Sequence, residues 1–92
     1  MIINFGDKQT AKIFNREFVK RIPKELQKKA LRRLAYLHVA EKLSDLQVPH
    51  SNHFEALVGD LVGFYSIRVN QQWRIIFCWQ DGASEVQLTD YH

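Results

Sequence analysis

The apolar residues of this chain change their spacing once. Up to about Leu43 they recur every three or four positions, the period of a helix with one buried face; from Phe54 onward they alternate, the period of a half-buried strand. That order predicts helices first and a sheet after them, an α+β domain. Ninety-two residues can bury one core and not two, so residues 1–92 are expected to form a single domain. Cys78 is the sole cysteine and lies in an apolar run, which leaves neither a disulfide framework nor a cysteine-rich metal site. No stretch approaches the ~18 apolar residues of a membrane span, and the N-terminus lacks the basic-then-apolar order of a signal peptide. A cytoplasmic protein with no membrane partner is the expectation.

Ile2-Ile3-Asn4-Phe5 reads as a short opening strand before Gly6, with Asp7 placed as a helix N-cap. Ala11, Phe14, Phe18 and Ile22 then form one inward stripe, ended by Pro23. A second helix is expected from Pro23 to about Leu43 with Leu26, Ala30, Leu34 and Leu37 inward. Ser44 to Asn52 is the only long loop. Strands are expected over 54–58, 64–70, 73–80 and 84–91, giving an N-terminal strand, two helices and an antiparallel meander of three to four strands.

Charge is divided unevenly between these halves. Between Lys8 and Lys42 eleven Lys and Arg face three acids, about +8 by count, whereas the rest of the chain sets Arg68 and Arg74 against seven carboxylates. Lys24, Lys28 and Arg32 are spaced four apart, as are Lys29 and Arg33, so they form ridges on one helix, extended by Lys20 and Arg21. Such ridges suit a phosphate backbone, and equally they can do no more than solvate a helix.

Strand parity places the remaining two arginines. Tyr65, Ile67 and Val69 share a face, as do Trp73, Ile75, Phe77 and Trp79, and both sets reach the core only if the hairpin loop is odd, Asn70-Gln71-Gln72. Arg68 then lies opposite Arg74, off the core face. A two-residue Asp81-Gly82 turn pairs Phe77 with Val86, Ile75 with Leu88 and Arg74 with Thr89, and brings Tyr91 to the side of the arginines. Adjacent like charges are unfavourable unless an anion lies between them. A phosphate satisfies this requirement, as would Asp60, Glu55 or the chain carboxylate.

Leu57-Val58-Gly59, Gly63, Ser66-Ile67-Arg68-Val69-Asn70, Trp73-Arg74-Ile75, Phe77, Trp79 and the closing Asp90-Tyr91-His92 resemble the HigB-type toxins of the RelE/ParE superfamily, over the whole chain and most closely from Leu57 on. The resemblance implies a RelE-like fold and the toxin of a bacterial type II toxin–antitoxin module that enters the ribosomal A site and cuts mRNA. It also implies a helix-turn-helix antitoxin of HigA type as partner, with operator DNA met only through that antitoxin.

Metal-free RNA cleavage by 2′-hydroxyl attack needs a base, a cation for the charge growing on the phosphate, and an acid for the departing 5′-oxygen. Arg74 can take the phosphate with both arms of its fork. His92, beside the chain carboxylate and Asp90, suits the acid because nearby negative charge favours the imidazolium. Tyr91 can orient the phosphate or stack on a base, and Asp90 can fix the His92 ring or accept a proton. Some relatives carry a histidine near the position of Glu55 and a lysine where this chain has Val58, so the base is either Glu55 or His53, with Arg68 and His53 the substrate-binding candidates. The four histidines lack a compact ligand spacing, so no metal or other cofactor is expected, and His38 is expected to be a packed side chain. Two other readings stay open, a non-enzymatic ParE-like toxin that binds DNA gyrase and a basic ribosome- or RNA-binding module.

Overall fold

The structure, a computed structural model, describes residues 1–90. Helices α1 (Lys8–Phe14) and α2 (Lys24–Val39) precede strands β1 (Glu55–Ala56), β2 (Tyr65–Arg68), β3 (Trp73–Trp79) and β4 (Ala83–Asp90), which make one antiparallel sheet in sequence order. The α+β class read from the change of period is the one found.

Asp7 caps α1 by accepting from the Thr10 N–H at 2.7 Å. The helix stops at Phe14, well short of the expected end: Arg16 adopts a left-handed φ of 64°, and the chain leaves the helical path. In consequence Phe18 is 65% exposed instead of inward, and Val19 takes its place in the core beside Ile22. Besides a few backbone turns, one buried amide ties this segment down. Gln27 accepts from the Val19 N–H and donates from Nε2 to the carbonyls of Val19 and Ile22 (3.0, 2.7 and 2.6 Å).

Helix α2 places Leu26, Ala30, Leu34 and Leu37 inward as the spacing requires. It ends at Val39 because Ala40 turns extended and the Asp45 carboxylate accepts from the Glu41 and Lys42 N–H groups, starting a 3₁₀ turn at Leu43–Gln47. A second short turn, His50–Asn52, follows the cis Val48–Pro49 bond.

The helices cover one face of the sheet, where Ile67, Ile75, Phe77, Val86 and Leu88 complete the core. The odd loop at 70–72 gives the expected register, with Arg68 opposite Arg74 and Ile67 opposite Ile75. At the second hairpin two departures cancel. Trp79 pairs with Ala83 across a three-residue loop, one longer than expected, and an irregularity between Ile76 and Cys78, where Glu85 has a left-handed φ of 53°, absorbs the difference. Ile75–Leu88 and Arg74–Thr89 therefore pair as expected, whereas the Phe77–Val86 pairing falls in the irregular stretch.

Residues 2–5 do not form a continuous strand. They run parallel to β4 through two isolated bridges, Ile2 to Ala83 and Phe5 to Val86, with N–H groups of Ile3 and Gly6 donating to the carbonyls of Ala83 and Val86. His38 is packed as expected: its ring lies 5.2 Å from that of Phe14, and Nδ1 accepts from the Ile2 N–H at 3.2 Å.

Candidate functional site

The pleat decides which side chains meet on the face away from the helices. Glu55 lies opposite Ser66, Arg68 opposite Arg74, and Arg74 opposite Thr89, so these side chains share one side of the sheet. Arg74 is at their centre. The expectation that it leaves the core face holds, but it is not a surface residue; only 7% of it is exposed. Its Nε donates to Ser66 Oγ at 2.8 Å, Nη2 donates to the His53 carbonyl at 2.6 Å, and Nη2 lies 3.5 Å from Glu55 Oε1. A guanidinium is always charged, so its burial requires partners of this kind. One of the three neutralisers proposed from sequence, Glu55, is thus in place.

The second arginine differs. Arg68 is half-buried across the strand from Arg74 and makes no hydrogen bond or ion pair with the described residues. Among the described residues this corner of the sheet thus brings together two cations, Arg68 and Arg74, and the half-exposed carboxylate of Glu55. His53 sits at the end of the 48–53 loop in a left-handed conformation (φ 43°), which turns its carbonyl to Arg74 while the imidazole stays exposed. Next to it Phe54 stacks on Tyr65, ring centroids 5.7 Å apart and 12° from parallel. Gln47, His50, His53 and Phe54 line a shallow cleft of about 460 Å³. The arrangement can hold a phosphate against a fixed guanidinium with a carboxylate beside it, whereas the Phe54–Tyr65 stack packs against the core on the other side of the sheet.

Comparison with known proteins supplies the family. Residues 3–92 match the family described as the RelE-like toxin of the type II toxin–antitoxin system HigB. The chain is 39% identical over 93 aligned residues to Toxin HigB-1 of Vibrio cholerae serotype O1, covering 100% of this chain and 98% of that toxin. It is also 35% identical over 72 residues to an uncharacterised protein of Haemophilus influenzae, covering 78% of this chain and 71% of the other. This chain belongs to the HigB-like toxins.

As a HigB-like toxin it is the toxin of a type II toxin–antitoxin pair, and an antitoxin partner is implied. Among its predicted site residues, the fold brings together Arg74, Arg68, Glu55 and the backbone of His53. Asp90 pairs with Trp73, so the pleat sends it to the other side from Arg74, and its Oδ2 accepts from Gln72 Nε2 at 2.9 Å. Tyr91 and His92 lie outside the described residues.

The basic ridge of the HigB-like toxin is only partly available. Lys20, Arg21, Lys24, Lys28, Lys29 and Arg32 are exposed, Lys28 within 3.9 Å of Glu25. Arg33, read from sequence as a ridge member, is instead half-buried. Its Nη1 donates to Asn52 Oδ1 at 2.8 Å, and its guanidinium lies 5.7 Å from the Tyr36 ring centroid. Four-residue spacing placed it on the helix surface but could not show that the loop folds back onto that surface.

Two residues of the site had no assigned role in the sequence. Ser66 holds Nε of Arg74, and its strand parity, shared with Arg68, was the signal that could have found it. Asn52 is fully buried and ties the loop together; a polar loop asparagine carries no pattern that distinguishes it from a solvated one. No helix among the described residues is long and apolar enough to cross a membrane.

Proposed function

We propose that this toxin inhibits translation as a ribosome-dependent mRNA endonuclease. The observation that carries the reading is Arg74, a buried guanidinium fixed on two sides by Ser66 and His53 yet paired with a carboxylate that is itself 53% exposed. An incoming phosphate takes Glu55's place beside Arg74, with Arg68 across the strand adding a second positive charge. Glu55, released from the pair, accepts the proton of the 2′-hydroxyl. The 2′-oxygen then bonds to phosphorus, negative charge grows on the non-bridging oxygens against the two arginines, and the P–O5′ bond breaks. His92 gives its proton to the departing 5′-oxygen, leaving a 2′,3′-cyclic phosphate and a 5′-hydroxyl; Tyr91 orients the phosphate, and Asp90 supports the His92 ring. Since the His53 carbonyl is what meets Arg74, Glu55 is the better base.

The exposed cations Lys20, Arg21, Lys24, Lys28, Lys29 and Arg32 contact the RNA of the ribosome, which places the activity in the bacterial cytoplasm. The antitoxin is a helix-turn-helix protein of HigA type, whose gene neighbours that of the toxin.

Primer extension on translated messages after induction tests the proposal. New 5′ ends in the wild type and none with Arg74→Ala are expected. Intact message accompanied by DNA breaks would replace it with gyrase inhibition, and growth arrest retained by Arg74→Ala with intact message would leave a non-cleaving binder.

A further inference from the structure

Arg74 is fixed on one side by a strand residue, Ser66, and on the other by the backbone carbonyl of a loop residue, His53. A carbonyl in a loop positions a guanidinium only if the loop itself is fixed. Here backbone hydrogen bonds shape the loop, and one side chain ties it to the rest of the fold. Asn52 is fully buried; its Nδ2 donates to the carbonyls of Leu46 and Val48 at 3.1 and 3.4 Å, and its Oδ1 accepts from Arg33 Nη1 at 2.8 Å. The amide therefore joins both ends of the 46–52 segment and attaches it to α2, on the residue immediately before His53. The left-handed φ of 43° at His53 directs the carbonyl to Arg74, and a β-substituted residue keeps that conformation only when its surroundings impose it.

We propose that Asn52, anchored by Arg33, is a positioning residue for the phosphate-binding arginine: the two set the carbonyl that sets Arg74. Arg33 thus acts on the site through the loop, and its ridge neighbours Lys29 and Arg32 act at the surface. The proposal rests on the reading of Arg74 as the group that binds the scissile phosphate. It also accounts for a planar fork at position 33, because one arm reaches Asn52 while the guanidinium plane stays near the Tyr36 ring.

The test uses Asn52→Ser, Arg33→Met and Arg33→Lys in the full-length toxin, with two readouts. The first is the Nε–H resonance of Arg74 in a ¹H–¹⁵N spectrum, assigned by its loss in Arg74→Lys. It is expected to move in Asn52→Ser and Arg33→Met, and to return towards the wild-type position in Arg33→Lys, whose single ammonium can still donate to Asn52. The second is ribosome-dependent cleavage, where Arg33→Met is expected to lower kcat by about ten- to a hundredfold with KM unchanged, as displacement of a catalytic group by a fraction of an ångström does. An unmoved Arg74 signal in both Asn52→Ser and Arg33→Met overturns the proposal, and so does a rise in KM alone, which would make Arg33 an RNA contact. Should the wild type cleave no message, the functional reading fails, and the spectrum still decides whether Asn52 sets Arg74. Should Asn52→Ser fail to fold, Arg33→Met carries both readouts.

Discussion

Ser66 and Arg74 are joined across the sheet by a 2.8 Å hydrogen bond from Nε to Oγ, on adjacent strands and on the face away from the helices. Both side chains are buried, so neither end of this bond can be replaced by water without rearrangement. Ser66→Ala leaves the Nε–H without that partner and is expected to cost about 1–3 kcal/mol of stability, measured by urea denaturation. Cleavage should fall as well, because the fork loses its anchor on Ser66. Ser66→Thr should retain the hydroxyl and most of the stability.

Glu55 is the carboxylate against Arg74, and half of its side chain is in solvent. With the Arg74 end buried and the Glu55 end half in solvent, Glu55→Gln should cost about 1–2 kcal/mol of stability, between an exposed pair and a buried one. Its effect on cleavage should be far larger, a loss of about a hundredfold or more if the carboxylate takes the 2′-hydroxyl proton. Single-turnover cleavage by Glu55→Gln and by His53→Gln checks this: only the first should lose the activity. Loss confined to His53→Gln would move the role of base to His53.

Gln27 holds the segment that departs from α1. Replacing it by Leu keeps the volume and removes three hydrogen bonds with the backbone of Val19 and Ile22. A loss of roughly 2–3 kcal/mol is expected, seen as a fall in melting temperature of about 10–20 °C.

The ridge and its buried neighbour should separate cleanly. Neutralising Lys24, Lys28 and Arg32 together, all exposed on α2, should weaken ribosome binding and reduce its dependence on log salt by about two units of slope. Arg33→Gln should leave that slope unchanged, since its guanidinium is turned to Asn52. Binding to purified ribosomes across a salt series provides the measurement.

Burial raises the Cys78 thiol above its ordinary pKa, and the nearby Glu85 carboxylate adds to the shift. A raised thiol binds its proton more tightly in the folded state than in the unfolded one. Its contribution to stability is therefore complete below the unfolded pKa and declines as pH rises through the alkaline range towards the folded one. Alkylation by iodoacetamide should accordingly have its midpoint at higher pH in the native toxin than in urea.

How far the sequence carried depends on the kind of interaction. Alternation alone placed Arg68 opposite Arg74 and Ile75 opposite Leu88, because a one-residue slip would have exposed an entire apolar face. Leu26, Ala30, Leu34 and Leu37 were legible for the same reason. Phe18 was not, because its helical spacing continued a stripe that the backbone abandons at Arg16. Gln27, Asn52 and Arg33 were misjudged or missed because bonds between a side chain and a distant segment leave no period. Arg74 was identified by type and register, and its burial was not, since that depends on a loop folding over the sheet from 21 residues upstream.

The irregularity at Glu85 has a mechanical meaning for the tail. The hairpin loop runs one residue long and the bulge takes that residue up within the same strand, so the far end of β4 reaches Asp90 in the phase it would have had with the shorter loop. Had only one of these two features been present, every residue beyond it would have turned over. The bulge thus works as a shim: it takes up the extra residue of the distal hairpin, so Thr89 stays opposite Arg74.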